Sequence, residues 1–345
     1  MISSPKHILV IRFSSIGDIV LTFPLLRMLK NKFPNAGIDF VVKTQYAELV
    51  EKNPFVDALY RFDKKDGWFP LLRIRKAVQK QDYDLIVDLQ SNFRSFVIKV
   101  FQNARVVSYK KPFINRLLLV LLKYNRFTPA KPVYQRYIDT LHASEKAEPD
   151  FIPDRATCVL AASRLTEQGF QQRELNIAFI PGAGKATKRW PADYYAQLGG
   201  LLSRQPLIKI WVLGDEGDRE PAAEICRAIP GRCIDLTGKF SLMESACALS
   251  KMDAVVSNDS GFMHIADALQ KPVIAIFGPT TGEFGFYPRN ANARVIECKD
   301  LYCRPCSHVG PDRCPEKHFR CMRDIKPEVV YNRIVEDILP ITGKV

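Results

Sequence analysis

Two short loops in the sequence carry the small and charged residues that enzymes place around a reactive centre. The first loop is Ser14-Ser15-Ile16-Gly17-Asp18, which directly follows an apolar segment. A single carboxylate on a turn of small residues is suited to act as a general base. The alternative is that Asp18 only caps the helix that begins there, because Ser and Asp are favoured at helix N-termini.

The second loop, Asn258-Asp259-Ser260-Gly261, also follows an apolar segment and precedes a helical pattern with His264 in its first turn. Backbone N–H groups and the helix dipole make such a helix start suitable for binding a diphosphate. The alternative is ordinary capping by Asp259 or Ser260. His264 is then a packing residue.

A third loop, residues 181–191, contains Gly182, Thr187 and the basic residues Lys185, Lys188 and Arg189. It does not match the P-loop pattern, because Phe179 stands where the first glycine belongs and Ala186 follows Lys185. The first apolar segment is not followed by G-x-G-x-x-G, which argues against an NAD-dependent dehydrogenase. Three cations on a glycine-rich loop are nevertheless suited to neutralise phosphates.

The sequence has nine cysteines, which we expect to be thiols or metal ligands rather than a disulfide framework. Four of them, Cys303, Cys306, Cys314 and Cys321, lie close together with the spacing C-x2-C-x7-C-x6-C. They are candidate ligands for a structural Zn²⁺. The alternatives are packing thiols or a disulfide.

The three loops each follow a short apolar run in a chain where such runs alternate with amphipathic stretches, as in parallel α/β sheets. Ligands bind outside the carboxyl ends of parallel strands, so the loops are expected at binding sites. The predicted strands are residues 7–13, 38–43, 58–62, 85–89, 105–108, 177–180, 209–213, 233–236, 254–257 and 273–277. The predicted helices are residues 18–32, 69–80, 93–101, 192–203, 220–228, 242–249, 261–269 and 327–339.

This pattern predicts two Rossmann-like domains, residues 1–155 and 170–325, joined by a linker within 145–175 and followed by a closing helix in 326–345. No apolar run is long enough to span a membrane, and the N-terminus does not resemble a signal peptide. We therefore expect a cytoplasmic protein.

The net charge of +13 is unevenly distributed: residues 1–150 carry +11, with 25 basic and 14 acidic residues, and the remainder carries +2. Such asymmetry suggests an anionic partner, namely nucleic acid, an acidic membrane surface or a phosphorylated substrate. No helix-turn-helix or RNA-binding signature is present, so we do not expect nucleic acid.

In order along the chain, residues 13–20, the segment Lys188-Arg189-Trp190-Pro191, residues 258–264 and Phe277-Gly278-Pro279-Thr280 resemble glycosyltransferase family 9, the heptosyltransferases of lipopolysaccharide core assembly. The resemblance implies a GT-B architecture: two Rossmann-like domains facing each other across a cleft. It also implies that the closing helix packs back on the first domain.

The activity implied by the resemblance is metal-independent, inverting transfer of L-glycero-D-manno-heptose from an ADP-linked donor to an inner-core sugar. By this resemblance Asp18 is the base and Lys188 neutralises the diphosphate. The implied donor-binding residues are Glu216, with Asp215 or Asp218 as alternatives, and Asp259, Ser260, Gly261, His264, Gly182 and Thr187. The implied acceptor-binding residues are Ser14, Ser15 and Gly17.

Three alternatives stay open at the level of sequence. A related transferase using another nucleotide sugar is suggested by Ser260, since close relatives often have Thr there. A non-catalytic protein that binds nucleotide sugars is the second, and a nucleic-acid-binding module is the third. With a glycolipid acceptor, the basic residues around the apolar run 117–122 form a candidate membrane-surface element, with a core helix as its alternative. We therefore expect peripheral attachment to the inner face of the inner membrane.

Overall fold

The chain folds into two compact units, each built on one parallel sheet. The computed structural model describes residues 4–63, 65, 67–143 and 145–344. The first unit comprises residues 1–112 and 133–152, and the second comprises 113–132 and 153–345.

The first sheet contains five parallel strands in the order β3-β2-β1-β4-β5. Their bounds are β1 His7–Ile11, β2 Gly37–Lys43, β3 Ala58–Phe62, β4 Leu85–Asp88 and β5 Arg105–Ser108. The central strands are apolar and buried, as expected for a sheet covered on both faces. Since β1 lies where the strand order reverses, the loop containing Asp18 starts at a switch point, the usual place for ligands.

The second sheet has six parallel strands in the order β11-β10-β9-β6-β7-β8. Their bounds are β6 Leu175–Ile180, β7 Ile208–Val212, β8 Cys233–Asp235, β9 Ala254–Asn258, β10 Val273–Phe277 and β11 Ala293–Glu297. β6 pairs directly with β9, so the loops 181–191 and 259–260 leave neighbouring strand ends.

Helices cover the sheets at nearly all the positions that the sequence predicts. In the first unit they are α1 Ile16–Val20, α2 Phe23–Lys32, α3 Glu48–Glu51, α4 Phe69–Lys80, α5 Phe93–Lys99 and α7 Val133–Asp139. In the second unit they are α6 Phe113–Leu122, α8 Arg155–Glu167, α9 Ala192–Leu202, α10 Arg219–Ala228, α11 Leu242–Lys251, α12 Gly261–Ala268, α13 Arg320–Arg323, α14 Pro327–Arg333 and α15 Leu339–Thr342.

Some elements differ from the predictions. The single helix predicted for 18–32 is two helices, α1 and α2, with Pro24 in the first turn of α2, where proline is tolerated. The region predicted as a linker contains α8, whose apolar residues do not form one stripe: Leu165 is buried, whereas Val159 and Leu160 are exposed. Strand β11 and helices α3, α7 and α13 were not predicted.

Residues 113–132 belong with the second unit, although the sequence placed them in a first domain ending at 155. Leu119 and Phe127 pack on Phe284, and the ammonium of Lys123 donates to the carbonyls of Val120, Cys303 and Pro305. Tertiary contacts of this kind, rather than position in the chain, decide the unit.

The tertiary contacts of the closing helix likewise place it in the second unit. Val330, Ile334 and Ile338 lie in the second unit's core, and α14 packs on α9. The backbone between α14 and α15 forms one π-helical turn, Ile334–Ile338. The packing seen for this helix is with the second unit, and packing on the first domain stays a prediction.

The cysteines correct one expectation. Cys158 is bonded to Cys247 and Cys226 to Cys233, so four of the nine form disulfides. α8 lies along α11, and α10 leads into β8, which brings each pair together. None of the helices in the described part of the chain is both long and apolar enough to cross a bilayer.

Candidate active site

Asp18 lies in the first turn of α1, where two neighbours hold its carboxylate. Oδ1 pairs with the Arg12 guanidinium at 2.7 Å. Oδ2 accepts hydrogen bonds from the Ser15 backbone N–H at 3.2 Å and the Ser15 hydroxyl at 3.1 Å. The capping role considered from the sequence is therefore present, yet the Asp18 side chain keeps 21% of its surface exposed.

The surroundings of Asp18 keep it ionised. Burial opposes the charged form, but the Arg12 guanidinium and the Ser15 hydrogen bonds outweigh burial and hold the pKa of Asp18 below its usual value. An ionised carboxylate that is still accessible can accept a proton from a hydroxyl group at neutral pH.

Arg12 is a site residue that sequence reasoning missed. It ends the buried run of β1, and its guanidinium is fixed by the carbonyls of Ser14 at 2.9 Å and Leu89 at 2.7 Å. The same side chain lies over the Tyr137 ring, 5.7 Å from its centroid. A basic residue directly after an apolar strand was the available signal, because an unpaired charge is rarely buried.

Of the predicted acceptor residues, Ser15 is exposed, Ser14 is partly buried and Gly17 is buried.

Replacing Arg12 by Met is expected to move the acidic limb of the kcat–pH profile to higher pH. The substitution removes the counter-charge and leaves the burial, so the pKa of Asp18 rises and the base is protonated over a wider range. Arg12→Lys retains a positive charge, and the shift should be smaller. Identical profiles for the wild type and Arg12→Met contradict this assignment.

In the second unit, Asn258 ties two loops together at the end of β9. Its amide accepts from the Trp190 backbone N–H at 3.0 Å and donates to the Pro181 carbonyl at 2.7 Å. The side chain is fully buried. Asn258 therefore fixes the loop 181–191 against the start of α12, a role that was not predicted from the sequence.

Lys188 and Asp259 meet at this junction. The Lys188 ammonium lies 2.6 Å from Asp259 Oδ2, with 15% and 7% of the two side chains exposed. The same oxygen accepts from the Thr280 hydroxyl at 2.8 Å. Asp259 thus fixes the cation, and Thr280 is a further residue that sequence reasoning had not assigned.

The start of α12 is capped as the sequence suggested. The Ser260 hydroxyl accepts from the Met263 N–H at 3.3 Å, and the preceding N–H groups of the first turn, beginning with Gly261, have no carbonyl acceptor within the helix. His264 is buried with its ring 6.0 Å from the Phe286 ring, which agrees with its packing alternative. Its role in donor binding stays a prediction.

Three carboxylates in the loop after β7 were predicted as alternatives for binding the donor, and their surroundings differ. Glu216 is 73% exposed and pairs with Arg219 at 3.0 Å. Asp215 caps the turn by accepting from the Gly217 N–H at 2.8 Å. Asp218 is buried, and burial followed by repulsion from Asp215 raises its pKa. Of the three, Asp215 and Glu216 are exposed and Asp218 is not.

Gly182 lies so close to Asp218 of the loop after β7 that no side chain fits at this position. A Cβ at Gly182 would stand 2.1 Å from Asp218 Oδ2. We expect Gly182→Ala to destabilise the fold by about 1–3 kcal/mol, because the Asp218 carboxylate must leave its place. Gly184→Ala is the matched control on the same loop, since its Cβ would meet nothing within 4 Å. Equal melting temperatures for the two variants would refute this prediction.

The cysteine-rich segment packs against the loop 181–191 as well. The Thr187 hydroxyl donates to the Pro311 carbonyl, and the Lys185 ammonium pairs with Asp312 at 3.0 Å. A Cβ at Gly310 would lie 3.1 Å from the Lys188 side chain. The Thr187 hydroxyl thus donates its proton within the protein, and its predicted role in donor binding stays a prediction.

The structure does not assemble the zinc site suggested by Cys303, Cys306, Cys314 and Cys321. Among the residues described, no three His, Cys, Asp or Glu side chains are grouped so as to hold a metal ion. Burial, then the nearby Cys303, raises the pKa of Cys306 to about 11, and burial, then Cys306, raises that of Cys321 to about 12. Cys303 and Cys321 lie in the core of the second unit and Cys306 packs against it, which agrees with the packing alternative considered from the sequence.

Known proteins match the chain over nearly its whole length. Residues 71–317 match the model of glycosyltransferase family 9 (heptosyltransferase). Lipooligosaccharide heptosyltransferase 2 of Haemophilus influenzae is 31% identical, over 96% of this chain and 99% of that protein. The chain belongs to glycosyltransferase family 9. As a member of this family it is a glycosyltransferase, so the predicted enzyme class is confirmed.

Solved structures place this family 9 protein in a known fold. The family 9 glycosyl transferase of Veillonella parvula superposes with a TM-score of 0.83 at 24% identity, covering 97% of this chain and 98% of the other. The ADP-heptose lps heptosyltransferase II of E. coli gives 0.76 at 22% identity, covering 98% and 100%. The predicted GT-B class, with two parallel α/β domains, is confirmed by these likenesses.

Proposed function

We propose that this family 9 protein transfers L-glycero-D-manno-heptose from ADP-heptose to the inner core of lipopolysaccharide, at Kdo or a first heptose. The similarity to a lipooligosaccharide heptosyltransferase supports the sugar and the acceptor. The likeness to an ADP-heptose transferase of similar fold agrees with the donor.

The observation that carries the proposal is the Lys188–Asp259 pair beside the start of α12. A diphosphate leaving group carries negative charge that grows as the bond to the sugar breaks. The Lys188 ammonium is fixed by Asp259, whose carboxylate is held in turn by the Thr280 hydroxyl. Together with the N–H groups at the start of α12, it stabilises that charge without rearrangement. Glu216 is the residue on this unit that we assign to the ribose hydroxyls.

The first unit supplies the base. In our mechanism the acceptor oxygen attacks the anomeric carbon, the bond from that carbon to the diphosphate oxygen breaks, and ADP leaves. The proton of the acceptor hydroxyl passes to Asp18, which Arg12 keeps ionised. One displacement at the anomeric carbon inverts its configuration.

The reaction as proposed needs no metal ion, because Lys188 and the α12 N–H groups provide the positive potential that a metal supplies elsewhere. Activity measured after dialysis against EDTA should match that of the untreated enzyme. A loss that Mg²⁺ restores would overturn this part of the proposal.

A donor panel measured by calorimetry is the experiment that tests the function. ADP and ADP-heptose should bind, whereas UDP-sugars and GDP-sugars should bind at least about tenfold more weakly, a difference of about 1.4 kcal/mol. Preference for another nucleotide would keep the mechanism and change the substrate, as the Ser260 alternative anticipates. Failure of every nucleotide to bind would refute the proposal.

We also propose that the enzyme works in the cytoplasm at the inner face of the inner membrane, where a glycolipid acceptor is anchored. The exposed apolar side chains of α6 support this, since only Leu119 of its ten residues is buried. Lys123 directly follows α6, but its ammonium donates to three backbone carbonyls. We therefore do not assign Lys123 to binding lipid phosphates.

A further inference from the structure

Helices α4 and α5 of the first unit carry a cluster of exposed aromatic side chains that the proposed reaction does not use. Phe69 is 83% exposed and Trp68 is 56% exposed. The other large apolar side chains exposed there are Leu72, Phe93, Phe96 and Phe101. We call these six residues the aromatic patch.

The aromatic patch is continuous across the two helices. The Trp68 ring meets the Phe93 ring edge-on, with centroids 5.6 Å apart, and Phe93 stacks with Phe96 at 6.4 Å. Phe101 is joined to α4 by Arg75, whose guanidinium lies 4.9 Å from its ring centroid. The rings of Trp68, Phe93 and Phe96 therefore contact one another at the surface and do not enter the core.

The opposite faces of these helices already fill the core of the first unit. Leu71, Ile74 and Val78 of α4 and Ile98 of α5 are buried there. Each helix thus carries apolar side chains both in the core and on its exposed side. An exposed apolar surface of this kind marks an interaction site.

The charges around the aromatic patch identify its partner. Residues 67–81 and 89–111 contain no Asp or Glu. They contain nine basic residues: Arg73, Arg75, Lys76, Lys80, Arg94, Lys99, Arg105, Lys110 and Lys111. Lys99 pairs with the buried Asp88 at 2.7 Å and is not counted among the cations available to a partner. An open groove of about 1050 Å³ along α4 is lined by both kinds of side chain, including Phe69, Leu72, Arg73 and Lys76.

We propose that the aromatic patch is the docking surface of this enzyme on an anionic phospholipid bilayer. Trp and Phe side chains enter the boundary between headgroups and acyl chains, while Lys and Arg side chains pair with the lipid phosphates. A second copy of the chain is a poorer occupant, because a two-fold interface would bring the same cations face to face. The proposal rests on the proposed function, which places the acceptor in a membrane.

The position of the tryptophans makes the test specific to this surface. The chain has three tryptophans, and Trp190 and Trp211 are buried in the second unit. Vesicles of phosphatidylglycerol and brominated phosphatidylcholine, without donor or acceptor, should therefore quench Trp68 alone. Trp68→Phe should abolish the quenching and still pellet with the vesicles.

Two double variants distinguish binding through the aromatic patch from unspecific adsorption to the vesicles. Phe69→Ser/Phe93→Ser should weaken pelleting by about tenfold or more, since two rings no longer enter the lipid. Val159→Ser/Leu160→Ser removes two exposed apolar side chains of α8 and should leave it unchanged. Both variants should retain transfer to a soluble acceptor fragment, which keeps this test independent of the proposed function.

Three outcomes would overturn the proposal. Pelleting without quenching of Trp68 would mean that another surface, such as α6, meets the lipid. Equal loss in both double variants would mean unspecific adsorption. Dimers that dissociate in Phe69→Ser/Phe93→Ser, seen by sedimentation velocity without lipid, would assign the patch to a second copy.

Discussion

Asp18→Asn should lower kcat by roughly 10²–10⁴-fold, the usual contribution of a general base. The amide keeps the shape of the carboxylate and can still accept from Ser15, but it cannot take the acceptor proton. Donor binding, whose proposed residues all lie in the second unit, should be unchanged by calorimetry. Turnover is to be measured with a saturating acceptor, so that a change in acceptor binding does not hide the chemical step.

The control for Asp18→Asn is Ser15→Ala, which removes one hydrogen bond to Oδ2 and leaves the base in place. We expect a decrease in kcat of less than about tenfold, since one such bond contributes about 0.5–1.5 kcal/mol. Unchanged turnover in Asp18→Asn would remove Asp18 as the base.

Lys188→Ala should weaken binding of ADP-heptose by about 10–100-fold. A hydrogen bond to a charged group contributes about 1.5–3 kcal/mol, and this substitution also leaves Asp259 without its counter-charge at the diphosphate site. Calorimetry with ADP and ADP-heptose measures the effect, and a thermal melt separates it from loss of fold.

Two variants make the Lys188 result interpretable. Lys185→Ala removes a cation of the same loop that pairs with the exposed Asp312, and it should change affinity by less than about threefold. Lys188→Ala/Asp259→Asn removes the repulsion as well as the attraction, so it should bind more tightly than Lys188→Ala. Equal affinities for Lys188→Ala and the wild type would show that the ammonium does not meet the diphosphate.

Local pattern was sufficient for most of the fold. The predicted bounds of β3, β5, β10 and α4 agree with the structure. β10 is a clean apolar run and α4 carries an apolar stripe, whereas β3 and β5 are short mixed segments in the α/β alternation. α8 was missed because its buried side chains are too few to form a stripe. The assignment of 113–132 to the second unit rests on tertiary contacts with Phe284, which no local pattern contains.

The site was predictable only where a motif carries the chemistry. Asp18, Lys188 and Asp259 stand in loops at strand ends, and their positions follow from the parallel topology. The partners that fix them are isolated residues in sequence: Arg12 reaches Asp18 across a turn, and Thr280 reaches Asp259 from 21 residues away. The cysteine spacing is not matched by a metal-holding group among the described residues, and two of its members, Cys303 and Cys321, lie in the core.

The interrupted first unit limits how enzymes of this kind can be recombined. Residues 113–132 leave the first unit's sequence, complete the second unit, and the chain then returns for 133–152. A chimera made with one crossover at residue 152 would join a foreign 113–132 to this second unit and replace the Leu119 and Phe127 contacts with Phe284. Exchange of the complete first unit between relatives therefore needs three crossovers, near residues 112, 132 and 152.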